Sequence, residues 1–574
     1  MEFRSVSGAL EDYGPDDLSL PQFFLDFQHS SRPVRPPNVP WLIEDQTGRP
    51  IAFDELRIRT AGLANALSIK WNIVENDVVC VFSPNHVDPV CIWAIHRLGA
   101  IVTPANPGYT ADELVHQLQT TKAALLLVYA PFLPTALAAA KLVGLREERI
   151  IVIEPFATSP YNSRHETLSG LISFGSSQSP NFVERKLHPG EAKTKVAFFS
   201  FSSGTTGKPK AVVIPHYSFT LNILQTVAHH GLNDPSLKKK HLNPGDVAAA
   251  VLPFFHIYGL VVVLHYMLFS GLSLVVIPKF NFTDFLESIA KYRITHLFLV
   301  PPQIVLLCKH PAVKNYDLSH VKLVISGAAP LSGSLTNSLR QVVPNAAIGQ
   351  GYGMTETCTT ISMMSGRQKM GVEGSAGQII PGLVARVVRP DGTFCKEGEQ
   401  GELLVTGPSM ALGYLNNAQA TKESFVDGWV RTGDEVVIKN SEIFVVDRIK
   451  EIIKVKGFQV APAELEGHLL SHPAVADACV VGIPDEYSGE IPRAYIVLRE
   501  DALMRISANP SEGEMLKAAL KKHVADAKIA YKQLAGGVVF IKAIPKNPSG
   551  KILRRVLRDQ ARKAHANMRA NAKL

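Results

Sequence analysis

The sequence predicts an α/β fold: a large N-terminal domain of parallel sheets with helices and a small β-barrel-like subdomain, then a small α+β C-terminal domain. Three observations predict it. Up to about residue 190, and again from 248 to 326, apolar runs of four to six residues recur between helical stretches, the texture of a parallel sheet buried on both faces. Between 384 and 446 the runs become short and alternating, with turns at Pro390-Asp391-Gly392 and Asp427-Gly428, which predicts an antiparallel unit. After Lys450 a helix, further strands and a basic helical tail close the chain.

The elements follow in order. Helices are expected over 54–70 and 111–120, set between buried strands at 78–82, 124–129 and 150–153. The same alternation returns with strands at 248–252, 274–277, 296–300 and 323–326. Polar stretches rich in Ser, Pro and His at 157–180 and 229–245 read as surface loops. The run 257–278 is long enough to span a bilayer. It contains His265 and is split by Gly271, so it reads as a buried helix followed by a buried strand rather than a transmembrane span.

Composition excludes several classes. With 574 residues, 46% of them hydrophobic and only 19% charged, the chain can bury a large core, so wholesale disorder is excluded. The net charge of +8 is a feature of the tail: residues 536–574 carry ten Lys or Arg against one Asp, and the rest sums to −1. The body therefore has no basic excess, which argues against nucleic-acid binding. None of the six cysteines forms a CxxC pair or has His at metal-ligand spacing, so reduced thiols of an intracellular protein are expected. The first eighteen residues carry no apolar signal core, which argues against secretion.

The densest chemical signal is Ser202-Ser203-Gly204-Thr205-Thr206-Gly207-Lys208-Pro209-Lys210. Its hydroxyls and backbone N–H groups can wrap phosphate oxygens, and Lys208 and Lys210 add positive charge. It is not a Walker A loop, which needs Gly at 202 and Ser or Thr at 209. Runs at 196–201 and 211–214 both read as strands, so the loop joins strand to strand; the plain alternative is a Ser/Gly hairpin.

This loop resembles the phosphate loop of the adenylate-forming superfamily, which includes acyl-CoA synthetases, 4-coumarate–CoA ligases, luciferases and peptide-synthetase adenylation domains. Further segments resemble that family's motifs in its order. They are Gly349-Gln350-Gly351-Tyr352-Gly353-Met354-Thr355-Glu356; Gly401-Glu402-Leu403; Gly413-Tyr414; Gly428-Trp429; and Arg431-Thr432-Gly433-Asp434. Val446-Asp447-Arg448-Ile449-Lys450-Glu451-Ile452-Ile453-Lys454 with Gly457-Phe458-Gln459, and Pro545-Lys546-Asn547-Pro548-Ser549-Gly550-Lys551, complete the series. Ala211 and Pro215 depart from the commoner Gly and Thr, away from the chemistry.

The resemblance implies an ATP-dependent acid–CoA ligase with Mg²⁺, and coenzyme A as the thiol substrate. A carboxylic acid, whether aryl, cinnamate-like or medium- to long-chain acyl, is first joined to AMP with release of pyrophosphate. A thiol then displaces AMP. It also implies domains at 1–447 and 451–574, with a hinge at 448–450 centred on Lys450. Residue roles carry over by motif. Ser202, Ser203, Gly204, Thr205, Thr206, Gly207 and Lys210 would cradle phosphates, with Thr355 near the α-phosphate. Glu356 would hold Mg²⁺, a hard cation suited to carboxylate oxygen. Gly327, Ala328 and Ala329 with Gln350, Gly351, Tyr352 and Gly353 would form the nucleotide slot, and Asp434 with Arg448 would grip the ribose. Lys551 would reach the carboxylate and α-phosphate, supported by Lys454 and Gln459. His256, Tyr258, Lys456 and Gly457 would serve the acyl and coenzyme A sites.

Without the family, plainer readings stand beside these: a solvated acid at 356, a turn residue at 434, a packed core His256, a tail lysine at 551. The terminal Ala572-Lys573-Leu574 resembles a peroxisomal address, which implies an import receptor as partner, against an accidental tail on a cytoplasmic enzyme. Other readings of the same motifs are an adenylation enzyme loading a carrier-protein thiol and a luciferase-like oxygenase. Only 23 residues follow Lys551, so no attached carrier domain is expected. A non-catalytic nucleotide-binding protein of this fold would be expected to lack Lys551 or Glu356, and both are present.

Overall fold

The computed structural model describes residues 1–155, 164–202, 209–237, 239–456, 458–485, 487–547 and 550–571, the side chains of 565–571 excepted. Among these, the fold is mixed α/β, with three sheet systems before residue 449 and a fourth after it.

The first sheet has six strands in the spatial order Ile150–Ile153, Leu125–Tyr129, Val78–Phe82, Ile101–Ala105, Val196–Ser202, Lys210–Pro215. All pairs are parallel except the last, the hairpin that carries the phosphate-type loop. The apolar runs form these strands because helices cover both faces. Phe53–Trp71 and Val90–Arg97 bury Leu56, Leu63, Leu67, Trp93 and Ile95 against one side. Ala111–Thr121 and Leu133–Val143 cover the other, where a separate cluster holds Cys80, Phe82, Leu114, Leu118, Leu126 and Ala139. Fully burying each large apolar side chain contributes about 1.5–3 kcal/mol. The start of Ala111–Thr121 is fixed locally: Thr110 Oγ1 accepts from the Glu113 N–H at 3.3 Å, and Glu113 accepts from the Thr110 N–H at 2.8 Å.

The second sheet contains Ala347–Met354, Leu323–Ser326, His296–Leu299, Val247–Ala250, Ser273–Val276 and Leu42–Glu44 in parallel, closed by the short strand Pro50–Ile51. The run at 257–278 resolves as expected. Tyr258–Tyr266, a wide π-type helix, and Met267–Phe269 lie in the core and lead into Ser273–Val276. His265 is accommodated there by accepting from Trp93 Nε1 at 3.1 Å and pairing with the Leu260 carbonyl at 2.8 Å. Among the described residues no helix is long and apolar enough to cross a membrane.

The strand Ala347–Met354 belongs to two sheets. Residues 347–350 run parallel to Leu323–Ser326, while 351–354 pair antiparallel with Thr359–Met363. From there an antiparallel sheet continues through Gln378–Ile379, Glu442–Arg448, Trp429–Lys439, Gln400–Thr406 and Val384–Val388. This is the unit predicted for 384–446.

After residue 450 a small sheet of Phe458–Val460, Ile453–Val455, Gly489–Leu498 and Val475–Asp485, with Val538–Phe540 added in parallel, packs against helices. It has its own apolar clusters, made only of residues beyond 452. Two helices here, Glu500–Ala508 and Ser511–Ala527, are absent from the sequence-based expectation. Their charge hides a narrow buried stripe, Ala502 and Ile506, then Leu516, Leu520 and Val524, spaced by four. The small part rests on the large one at several points: Lys309 Nζ donates to the Leu470 carbonyl at 2.8 Å, and Gly550 packs so closely on Val300 that a Cβ would lie 2.9 Å from Val300 Cγ2.

Candidate active site

The hairpin Val196–Ser202/Lys210–Pro215 ends with Ser202 paired to Lys210. Ser203, Gly204, Thr205, Thr206 and Gly207 fall outside the described residues, as does Gly457. The hairpin's base is described, and it meets Glu356. Ser202 Oγ donates to Glu356 Oε1 at 3.0 Å and Tyr414 OH donates to the same oxygen at 2.8 Å. Lys210 Nζ lies 4.9 Å from the centroid of the Tyr414 ring. Segment 411–415 is laced to the hairpin by the Leu412 N–H to the Val213 carbonyl and the Leu415 N–H to the Ala211 carbonyl, and to Glu356 by the Ala411 N–H at 2.9 Å. Glu356 is 5% exposed, and among the described residues these two hydroxyls are the side-chain donors to its carboxylate, both on Oε1. Thr355 is buried beside it in the turn Thr355–Thr357.

The shared strand positions the next group. At Gly353 a Cβ would stand 1.5 Å from the Thr359 carbonyl oxygen, so only glycine fits the bend between the sheets. Tyr352 OH donates to Asp434 Oδ2 at 2.7 Å, and Arg448 Nε lies 3.4 Å from Asp434 Oδ1. Asp434 is 5% exposed; burial pushes its carboxyl up, against the pull of Arg448. Among the described residues each oxygen has one side-chain partner, an arrangement that suits a grip on a vicinal diol. Gln350 turns its side chain to Leu331. Its amide is spent on Leu331, accepting from that N–H at 2.8 Å and donating to its carbonyl at 3.4 Å, so its side chain holds the turn after Leu323–Ser326 in place. In that turn Ala328 sits at φ 69°, a left-handed conformation uncommon for a residue with a Cβ. Gly327 presses against Tyr258: a Cβ there would be 2.7 Å from the ring. Ala329 is exposed beside them, and Gly351 lies against Met363.

Lys551 is brought to this group from the far end of the chain. It is partly buried and feels the charges of Arg448, Glu451, Asp434 and Glu356; burial, then repulsion by Arg448, pushes its ammonium down to about 8. His256 lies close enough to feel Lys551, and burial first holds its imidazole down to about 4. Its Nδ1 accepts from the Tyr258 N–H at 3.2 Å, so the neutral ring carries its proton on Nε2. The hydroxyl of Tyr258 is buried and has no hydrogen-bond partner among the described residues.

Lys454 and Gln459 are not brought to Lys551. They face one another across the hairpin Ile453–Val455/Phe458–Val460 with exposed side chains, and the Gln459 amide nitrogen points at the Glu435 carboxylate, 3.1 and 3.2 Å away. The charges that act on Lys551 are those of Arg448, Glu451, Asp434 and Glu356. Lys456 is likewise exposed, its ammonium 4.4 Å from the centroid of Tyr487, and Lys450 is exposed at the turn between the two parts. The roles of Tyr414 and Glu451 were missed in the sequence. Both stand in recognised motifs, but nothing local marks Tyr414 as the partner of an acid 58 positions away.

The fold and this site define a class. Residues 30–415 match the model of the AMP-binding enzyme family, and residues 464–551 match that of the AMP-binding enzyme C-terminal domain. The chain belongs to this family, the adenylate-forming superfamily, and is an AMP-forming acid–thiol ligase. Among curated proteins it is 37% identical over 556 residues to 4-coumarate-CoA ligase 1 of Narcissus pseudonarcissus, covering 95% of this chain and 94% of that one. It is 36% identical over 528 residues to a 4-coumarate–CoA ligase of Pinus taeda, covering 91% and 92%. Among solved structures, ATP-bound MatB from Rhodopseudomonas palustris superposes with a TM-score of 0.78 at 25% identity, covering 95% of this chain and 99% of that one. An anthranilate CoA ligase in complex with anthranoyl-AMP superposes with a TM-score of 0.81 at 23% identity over 96% and 99%, a likeness of fold.

Proposed function

We propose that the protein joins a hydroxylated aryl acid of the cinnamate type to coenzyme A at the expense of ATP. The observation that carries the reading is the convergence of Lys551 with Glu356, Asp434 and Arg448 around the hairpin that bears the phosphate-type loop. In the first step a carboxylate oxygen of the acid bonds to the α-phosphorus, the bridging P–O bond to the β-phosphate breaks, and pyrophosphate leaves. The acid is already ionised at neutral pH, so the step needs positioning and charge neutralisation rather than a base. Lys551 answers the charge that builds between carboxylate and α-phosphate. Asp434, braced by Tyr352 and Arg448, holds the ribose hydroxyls. Glu356, with hydroxyl donors on one oxygen, would hold Mg²⁺, which takes one or two carboxylates plus phosphate oxygens and would supply charge neutralisation there.

In the second step the coenzyme A thiol gives up its proton, its sulfur bonds to the acyl carbon, and AMP leaves with the oxygen it gained. His256, neutral with its proton on Nε2, borders the acyl site as a hydrogen-bond donor rather than as a base. The part beyond residue 450 would turn about 448–450 between the steps, taking Lys551 away and bringing the hairpin 453–460, with Lys454, Lys456, Gly457 and Gln459, to the thiol. Its separate apolar clusters support such a motion.

The acid is inferred from Tyr258. A buried hydroxyl without a partner costs free energy unless a ligand's polar group completes it, and a ring hydroxyl on the acid would do so. The relatives' names point the same way. Release of AMP from ATP and coenzyme A with 4-coumarate, cinnamate, benzoate and a medium-chain fatty acid tests this: 4-coumarate is expected to give the highest kcat/KM, and a preference for the fatty acid would refute it. The terminal tripeptide, outside the described residues, we read as a peroxisomal address for an import receptor.

A further inference from the structure

The helix Pro462–Leu469 opens the small C-terminal part, and none of its own side chains caps it: Ala461 stands at the cap position. Its first-turn N–H groups nevertheless find an acceptor. The Ala463 N–H donates to Asp447 Oδ2 at 3.0 Å. Asp447 is the penultimate residue of the strand Glu442–Arg448 of the large part, so the cap comes from the other side of residue 450. The same carboxylate is 5% exposed, accepts the Arg448 N–H on Oδ1 at 2.7 Å, and stands 3.9 Å from Arg554 Nη1. Arg554 opens the terminal helix, three residues after Lys551, and is itself clamped within the small part. It donates from Nε and Nη2 to Glu466 at 3.1 and 2.5 Å, and from Nη1 to Glu451. Asp447 thus touches two elements of the small part, the helix at 462 and the arginine that anchors the lysine-bearing loop. A turn about residue 450 would pull it from both.

We propose that Asp447 is a positioning residue, a cap supplied across the hinge that latches the C-terminal part in the orientation that presents Lys551. It touches neither nucleotide nor acid; it acts by biasing which orientation is populated. The inference rests on the two-step reading above for its kinetic consequence and on geometry alone for the latch.

The test uses the full-length enzyme with Asp447→Ala, Asp447→Asn and Asp447→Glu, each checked for an intact fold by thermal unfolding; Asp447→Asn keeps an acceptor should the alanine variant fail to fold. Single-turnover formation of adenylate from 4-coumarate and ATP is expected to fall by roughly 2- to 30-fold in Asp447→Ala, the range a lost helix cap commands. Thioester formation from synthetic 4-coumaroyl-adenylate and coenzyme A should be unchanged, and Asp447→Glu should recover part of the loss. Hydrogen exchange at the Ala463 amide should speed up in Asp447→Ala while exchange in the core strand Val475–Asp485 stays the same. Equal loss in both half-reactions of a folded variant, no loss in either, or unaltered exchange at Ala463 would overturn the latch. A wild-type enzyme that forms no adenylate from any acid would sink the ligase reading instead, and exchange at Ala463 would then decide the latch by itself.

Discussion

Replacing Lys551 by alanine should separate the two half-reactions. Two consequences of its surroundings set the magnitude. On the proposed reading the ammonium answers the charge that builds between carboxylate and α-phosphate, and losing one preorganised electrostatic group of this kind costs roughly 10²–10³ in rate. Its environment also opposes its charge: burial and Arg448 lower its pKa from 10.5 to about 8, a penalty of roughly 3 kcal/mol for the charged form. In the enzyme without ATP, about half of the molecules would therefore carry a neutral Lys551 at pH 8 and about nine in ten at pH 9. Adenylation kcat/KM for ATP should fall about tenfold per pH unit above this limb, and the limb should be absent in Lys551→Ala. The linkage has a definite sign. The unfolded chain holds this proton up to about pH 10.5 and the folded one only to about 8, so Lys551 makes stability rise with pH across that window, and Lys551→Ala should remove this contribution. The assay is single-turnover pyrophosphate release for the first half, and conversion of synthetic acyl-adenylate with coenzyme A for the second. The second half should run near the wild-type rate. An equal loss in both halves, with the fold intact, or a wild-type adenylation rate flat to pH 10, would refute the reasoning.

Three further predictions follow from the site. Glu356→Gln should cut adenylation by roughly 10²–10³ and raise the Mg²⁺ concentration needed for half-maximal rate; activity within a few-fold of wild type at limiting Mg²⁺ would remove Glu356 from the metal. Tyr258→Phe deletes a buried hydroxyl without a protein partner, so thermal stability should hold or rise, while kcat/KM for 4-coumarate should fall toward that for cinnamate; an unchanged ratio of the two would place the acid elsewhere. Removal of Ala572–Leu574 should leave the kinetics of the purified enzyme unchanged and abolish peroxisomal co-localisation in cells; persistence there without a wild-type copy would mean that the address lies elsewhere.

Strands buried on both faces were legible in the sequence: the runs at 78–82, 150–153 and 323–326 coincide with Val78–Phe82, Ile150–Ile153 and Leu323–Ser326. Such a strand must be continuously apolar, and continuity is visible without knowing its neighbours. Glu500–Ala508 and Ser511–Ala527 were not legible because a helix covering one edge of a small sheet needs only a thin apolar stripe, easily lost among charges. In the site, Glu356, Asp434, Arg448 and Lys551 stood out by motif. Tyr414 and Tyr352 stood in motifs as well, but their pairing with Glu356 and Asp434 was not legible, since they reach them across 58 and 82 residues of chain. The separation of Lys454 and Gln459 from Lys551 in this structure was illegible for a different reason. A motif records which residues serve a reaction, not which of two domain orientations they serve it in.

The strand Ala347–Met354 carries a consequence for how enzymes of this build can acquire new substrates. It passes from one sheet into the other between Gln350 and Gly351, and Glu356 follows only a few residues later. With Gly353 seated where no other side chain fits, and Gln350 spent on Leu331, this wall of the cleft cannot be remodelled without dragging Glu356 and the Tyr352–Asp434 pair along. Tyr258 lies on a separate helix and, among the described residues, shares no hydrogen bond with Glu356 or Asp434. Acid selectivity should therefore evolve, or be engineered, on one side of the cleft, while the strand shared by the two sheets behaves as a fixed jaw.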